Sequence, residues 1–356
     1  MKAKVTKQHI GIDISKDDFQ VCFMQRLGTD KIRIKGSRSF KNTLSGYKNF
    51  KTWVLKKASS ELLVSYSLEA TGVYHENLAH YLYEQKYPVS VLLANTVKAY
   101  SKSLNVNTKT DKSDAKCIAQ MGIERSLKLW TPISPQMRQL KQLTRERASI
   151  QTSKTVLSNQ LHALNHAHLA SKDVLKLIKQ RIKLLDKQLL TVNQYVEQAV
   201  RKDDFLKERI EKICVLKGLG FITVVTILAE TNGFQHFNSK AQLVSYAGYD
   251  VIENQSGSSI NGKTRISKRG NSRIRKALHF SALTAKKHEP VFTALYNRVF
   301  ERTKIKMKGY VAIQRKLLVM IYSLFKNNVA FDPEFHKKLT NIEEKCRQDT
   351  MPAYSG

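Results

Sequence analysis

His9-Ile10-Gly11-Ile12-Asp13-Ile14 is a β-branched run with a carboxylate set inside it. β-branched side chains pack well on a pleated surface, so the run reads as a buried strand. An ionised acid there is costly unless it lies at the strand end facing a cation, which makes Asp13 a residue with a task. Working outward, Phe19–Met24 and Lys31–Ile34 read as two more strands, the second alternating and half exposed, and the three form a meander. Tyr47, Phe50, Trp53 and Val54 then fall at helical spacing, and Leu62–Leu68 reads as a strand ending at Glu69. Val73–Gln85 has helical spacing and Val89–Leu93 is a buried strand. This β-β-β-α-β-α-β order predicts an α/β domain with a mixed sheet over residues 1–132.

Residues 133–212 change character. Leu140, Leu143, Ile150, Leu157, Leu161 and Leu164 fall on heptad spacing. Leu175, Ile178, Ile182, Leu185, Leu189, Val192, Val196 and Ala199 alternate steps of three and four. These seams predict two long helices of coiled-coil type. An antiparallel hairpin, pairing between subunits and a bundle core within one chain all satisfy the pattern. Residues 213–340 read as a second, mostly helical basic domain, and residues 341–356 as a polar tail.

The charge narrows the function classes. The chain has 356 residues, with 61 Lys+Arg against 29 Asp+Glu, a net charge of +32. Such an excess is tolerated most easily beside a polyanion, so nucleic acid is the expected partner. No stretch approaches the roughly 18 apolar residues of a membrane span. Asp13, Asp17 and Asp18 stand where a signal peptide needs its apolar core, so a cytoplasmic location is expected. Cys22, Cys117, Cys214 and Cys346 lie far apart with no CxxC pair, which argues against a zinc ribbon or a disulfide framework.

Four acids form the first candidate site. Asp13 and Glu69 end strands. Asp111 and Asp114 stand at i, i+3 in Thr110-Asp111-Lys112-Ser113-Asp114, one turn apart if a helix begins there. Converging, they would suit a hard cation, Mg²⁺ or Mn²⁺, and two such ions can promote attack on a phosphodiester. Read singly, Asp111 and Asp114 complement a helix N-terminus and Glu69 opens a turn.

The second candidate site lies downstream. Val215-Leu216-Lys217-Gly218-Leu219-Gly220-Phe221 reads as a helix-hairpin-helix-like element whose Gly218 and Gly220 let backbone N–H groups approach a phosphate, or as a plain helix–helix turn. Lys263, Arg265, Lys268, Arg269, Arg273, Arg275 and Lys276 form a cationic run without an acid, a phosphate-binding surface. Just before it, Gln255-Ser256-Gly257-Ser258-Ser259 offers a serine nucleophile in a glycine-rich loop, with a flexible linker as the plainer reading. Gly257–Thr264 also satisfies P-loop spacing, but lacks the strand before and the helix directly after it that nucleotide binding needs.

In this order the motifs resemble those of the bacterial "one-ten" insertion-sequence transposases, a family that includes the Piv/MooV-type DNA invertases. Gly11-Ile12-Asp13-Ile14-Ser15-Lys16, Leu68-Glu69-Ala70-Thr71-Gly72-Val73-Tyr74 and Lys109-Thr110-Asp111-Lys112-Ser113-Asp114-Ala115 look like the three RuvC-like motifs. Gly218–Phe221, Tyr246-Ala247-Gly248, Gln255-Ser256-Gly257 and Ile266-Ser267-Lys268-Arg269-Gly270-Asn271 look like successive stretches of the family's C-terminal domain. The resemblance implies an α/β plus α architecture: an RNase H-like (RuvC-like) DEDD domain, a coiled-coil insertion and a helical domain bearing the nucleophile. It further implies a homo-oligomeric DNA recombinase, dimer or tetramer, guided by a structured noncoding RNA that pairs with donor and target DNA. Asp13, Glu69, Asp111 and Asp114 would hold Mg²⁺, and Ser256, the serine of the Gln-Ser-Gly match, would form a phosphoserine link. Two other readings of the residues are a structure-selective nuclease using the same tetrad with water, and a non-catalytic nucleic-acid scaffold.

Overall fold

The computed structural model describes residues 4–28, 31–70, 72–105, 110–253, 255–256, 260–262 and 264–332. The polar tail, Lys263, Ser258 and Ser259 lie outside the described residues. The chain divides into two compact units, residues 1–132 and 133–356.

In the first unit, β1 (Val5–Ile14), β2 (Asp18–Leu27) and β3 (Lys31–Lys41) form the meander, followed by α1 (Leu44–Leu55), β4 (Val64–Glu69), α2 (Glu76–Glu84) and β5 (Val89–Leu92). Two helices complete it, α3 (Ala94–Ser103) and α4 (Asp111–Glu124). The sheet has five strands in the order β3-β2-β1-β4-β5. The meander pairs are antiparallel, whereas β1–β4 and β4–β5 are parallel, so the sheet is mixed as the sequence predicts. The third strand runs on to Lys41, beyond the expected Ile34, because β2 offers it a full-length partner edge.

The period-2 alternation of β1 assigns its two faces. Ile10, Ile12 and Ile14 join a core with Phe19, Phe40, Tyr47, Phe50 and Leu78, under α1 and α2. Phe50 packs edge-on to both Phe19 and Tyr66. His9, Gly11 and Asp13 point to the opposite face, where α4 buries Ala115, Ala119 and Ile123 against Cys22 and Met24.

The second unit opens with α5 (Pro135–Asn165) and α6 (Lys172–Arg201). Gln136 Nε2 donates to Ala199 O, Arg147 Nε to Asn193 Oδ1, and Lys154 pairs with Asp186. Partner numbers that fall as the chain advances mean the two helices run antiparallel. The remaining elements are α7 (Asp204–Cys214), α8 (Phe221–Thr231), α9 (Lys240–Ala247), β6 (Val251–Ile252), β7 (Gln255–Ser256), β8 (Ile260–Asn261), β9 (Arg265–Ile266), α10 (Ser272–His288), α11 (Pro290–Thr303) and α12 (Lys306–Asn327). Their core brings together Val224 and Leu228 of α8, Leu278 and Ala282 of α10, and Leu317 and Ile321 of α12, all buried. α8 is apolar nearly all round because it is enclosed by its neighbours.

Candidate active site

The four acids are brought to one end of the first unit by strand register and by one close helix–sheet contact. Ile12 pairs with Leu68 in the parallel β1–β4 ladder, so the next position sets Asp13 beside Glu69. Along the same face of β1, an added Cβ on Gly11 would stand 2.1 Å from Ala119 N and 2.5 Å from Ala115 O. The α4 backbone therefore rests directly on the strand, which only glycine there permits. One step earlier, His9 is buried beneath Gly122, whose added Cβ would stand 1.9 Å from His9 Nε2. As β1 advances from His9 through Gly11 to Asp13, α4 recedes from Gly122 through Ala119 and Ala115 to its first turn. That turn holds Asp111 and Asp114.

The α4 start is fixed locally. Thr110 Oγ1 accepts from Ser113 N at 3.2 Å, and Ser113 Oγ accepts from Thr110 N at 2.8 Å. This is a capping box with serine in place of the usual Glu or Gln at the third position. Carboxylates in a first helical turn are favoured by the dipole, so both readings of Asp111 and Asp114 hold at once.

Electrostatics ties the four together. Burial pushes the Asp13 carboxyl up to about 6, and the charges of Asp114, Asp111 and Glu69 add to the shift. One backbone hydrogen bond at Ile14 works the other way. Among the described residues no three Asp, Glu, His or Cys side chains are closed to metal-bonding distance. The acids thus feel one another's charge without forming a closed cage. An all-carboxylate donor set under mutual repulsion fits a hard divalent cation.

His9 is not part of that set. Its Nδ1 and Nε2 stand 2.7 Å from Ser65 Oγ and Ser67 Oγ respectively. Burial, then the charge of Lys7, lowers its pKa to about 3, so it is a neutral packing group below the acids. Sequence reasoning missed His9 and the small residues of α4. The signal was present in Ala115, Ala119 and Gly122, a small-residue stripe at i, i+4, i+7.

In the second unit, the described residues around the glycine-rich stretch form two short antiparallel strand pairs, one inside the other along the sequence, an arm whose tip, residues 257–259, lies outside the described residues. At its root Val251 pairs with Ile266 and Ile252 with Arg265. Further out Gln255 pairs with Asn261 and Ser256 with Ile260. Ser256 thus lies in the outermost described pair. The root is clamped, since Ser267 N donates to Asp250 O and Ser267 Oγ donates to Asp250 Oδ1 at 2.6 Å.

The predicted cations divide by role. Arg265, Lys268, Arg269, Arg273 and Lys276 are exposed. Arg275 is spent on the fold, donating to Ala247 O at 2.7 Å and Lys268 O at 3.2 Å. Gly218 has φ +107, and an added Cβ would stand 2.8 Å from Ser281 O and from Ala285 N, so packing against α10 accounts for it. Gly220 has open space around its Cα and N-caps α8.

Beneath the cations sits a carboxylate that sequence reasoning missed. Glu230 accepts from Arg145 Nε at 2.7 Å, from Arg145 Nη2 at 3.0 Å and from Asn271 Nδ2 at 2.9 Å. Its own carbonyl accepts from Tyr246 Oη at 3.0 Å. Burial alone would raise its pKa, but the Arg145 and Asn271 hydrogen bonds hold it below the usual carboxylate range. Asn271 Oδ1 in turn caps α10 by accepting from Arg273 N and Ile274 N. One buried acid therefore ties α5, α8, the end of α9 and the start of α10 to the foot of the arm.

Two transposase profiles match the chain in sequence order. Residues 10–167 match the DEDD transposase domain of the IS110 type, and residues 210–297 match a transposase domain of the IS116/IS110/IS902 family. The chain belongs to the IS110 transposase family. The "pilin gene-inverting protein" of Moraxella bovis is 28% identical over 335 residues, covering 94% of this chain and all of that protein. An IS900 42 kDa protein of Mycobacterium paratuberculosis is 25% identical over 187 residues, 50% of this chain and 45% of its own length. The solved T. thermophilus RuvC in complex with a Holliday junction substrate is 11% identical, covers 35% of this chain and 99% of itself, and has a TM-score of 0.26. As a member of the family, the IS110-type protein is a DNA recombination and transposition enzyme, with a mixed-sheet DEDD domain followed by a helical region.

Proposed function

We propose that this transposase cuts and rejoins DNA through a covalent phosphoserine at Ser256, with Asp13, Glu69, Asp111 and Asp114 as the second half of the active site. The observation that carries the reading is the Asp13 carboxyl, raised by burial and by three neighbouring acids. A fold keeps such repulsion where charge is used. The four carboxylates would hold divalent metal, Mg²⁺ or Mn²⁺, which when bound supplies positive charge against the scissile phosphate and lowers the pKa of a coordinated oxygen.

In the forward step the Ser256 hydroxyl oxygen bonds to phosphorus and the phosphorus–sugar oxygen bond breaks. The hydroxyl proton ends on the released sugar oxygen. In the return step the free hydroxyl of another DNA end displaces Ser256, restoring the serine proton. Bond energy is conserved, so no nucleotide triphosphate is needed, consistent with reading the P-loop spacing as coincidence. Arg265, Lys268, Arg269, Arg273 and Lys276 neutralise DNA phosphates, as does Lys263. Donor and target DNA are selected by a structured noncoding RNA, and the working form is a homo-oligomer in which tetrad and serine come from neighbouring copies. Inversion, the activity in the name of the Moraxella relative, is the same exchange within one molecule.

Recombination of a plasmid carrying both DNA ends, with the DNA flanking the gene co-expressed, tests the reading. Ser256→Ala and Asp13→Asn should each abolish product while RNA binding survives. Normal recombination by Ser256→Ala moves the nucleophile to Ser258 or Ser259, and normal recombination by Asp13→Asn removes the metal role.

A further inference from the structure

We propose that one face of α10 is a docking track for single-stranded DNA, with Phe280 as the base-stacking platform. It rests on the reading that Ser256 cuts a DNA strand. Residues at i, i+3, i+7, i+11 and i+14 share a helical face. Counted from Arg273 these are Lys276, Phe280, Thr284 and Lys287, and all five are exposed. Phe280 is 74% exposed, and among the described residues its one ring pair is with the neighbouring His279, edge-on at 5.3 Å. It is the most exposed aromatic side chain among the described residues, and covering such a ring with an apolar partner is favourable.

The surroundings specify what that is. The seventeen residues of α10 contain no acid. The nearest carboxylate to the stripe's start is Glu230, which is buried, held by Arg145 and 3.9 Å from Arg273 Nε. Lys276 Nζ reaches across to Thr152 Oγ1 of α5 at 3.3 Å, so the track is bordered by a second helix. Cations spaced along a face with an aromatic between them are the elements of a single-strand site, phosphates on the cations and a base on the ring.

Connectivity favours DNA over RNA as the occupant. α10 is capped by Asn271 at the foot of the arm that carries Ser256. Phe280 follows Arg273 by seven residues, about 10 Å along the helix. In the exchange proposed above, a cut strand parts from its complement to join another end, which leaves unpaired nucleotides beside the scissile phosphate. The track receives those nucleotides.

The test uses full-length protein in the Ser256→Ala background, so binding is read without any cutting chemistry. The probes are a 12-nucleotide oligo-dT and the matching oligo-rU. Phe280→Ala should weaken oligo-dT binding by about 5- to 150-fold with the salt slope unchanged. Phe280→Trp should restore affinity, and its fluorescence should be quenched by oligo-dT. Lys276→Gln should instead lower the salt slope by about one. Unchanged oligo-dT affinity in a folded Phe280→Ala protein overturns the proposal. So does a loss confined to oligo-rU, or a change in oligomeric state without a change in affinity, which would make the ring a protein contact. If intact protein with Ser256 never cuts DNA but Phe280 still governs oligo-dT affinity, the track stands and the cleavage reading falls.

Discussion

Asp13 is a half-buried acid at a strand end of the first unit and Glu230 a buried acid of the second, and their surroundings push them in opposite directions. Glu230 is met by the fork of Arg145 and by Asn271, and its carboxyl is pulled below the ordinary range. Asp13 faces three more acids and is pushed up to about 6. A buried carboxylate with its countercharge built in is finished as a structural part. One surrounded by like charge is a half-made site, stable only because the sheet and α4 hold it there. The two candidate sites differ in build as well. The acids stand on a five-stranded sheet with a helix pressed on its backbone, whereas Ser256 stands on strand pairs of two residues each, clamped at the root. Metal ligands need fixed geometry; a nucleophile that must meet a strand and later release it is served by an arm with few hydrogen bonds to rearrange.

The contrast can be broken by substitution. Glu230→Ala would remove the carboxylate that Arg145 and Asn271 share, and should cost about 1.5–3 kcal/mol of stability, the worth of hydrogen bonds to a charged group when the arginine left behind is partly solvated. The loss should appear as a fall in the melting of the second unit, with limited proteolysis reporting an intact first unit. Equal loss in both units would mean Glu230 is not a local tie. Gly11→Ala drives a methyl into the α4 backbone and should cost about 1–3 kcal/mol. Because it shifts Asp111 and Asp114 from Asp13, DNA cleavage should fall further than stability does; cleavage tracking the folded fraction alone would deny the positioning role.

The smallest effect carries the sign that separates the two acids. The Asp13 pKa is raised above its unfolded value, so the folded state binds that proton more tightly. Its penalty is absent below about pH 4, grows as pH rises to about 6 and is complete above it. Asp13→Asn removes the penalty, and after solvent screening should stabilise the metal-free protein by about 1 kcal/mol at pH 7. The gain should vanish at pH 4 and on adding Mg²⁺ to both proteins. Thermal melts in EDTA across that range check it, and destabilisation at pH 7 would show that Asp13 is a structural acid like Glu230.

How far each site was legible follows from where its causes lie in the chain. Asp13 could be read because it interrupts its own β-branched run; the α4 start was read only as a condition, because its Thr110–Ser113 cap carries serine where the usual signal is Glu or Gln. Gly11 was quoted only as part of a motif; its need for glycine comes from Ala115 and Ala119, a hundred residues onward. Glu230 ends an apolar helix and looks like an ordinary polar terminus until Arg145, 85 residues earlier, is placed beside it. The hairpin arm was hidden for another reason: two-residue strands are shorter than any window in which period-2 alternation can be seen. The seams of α5 and α6 were long enough to read, and Ile178, Val192, Val196 and Ala199 are buried as their spacing predicts.

Mass spectrometry of the DNA-linked peptide tests the central claim most directly. Wild-type protein with donor DNA, the noncoding RNA transcribed from the DNA flanking the gene and Mg²⁺, denatured and digested, should yield a nucleotide-bearing peptide with the modification on Ser256, and the Asp13→Asn protein should yield none. Cut DNA with no linked peptide, or a link that persists in Ser256→Ala, would contradict the account.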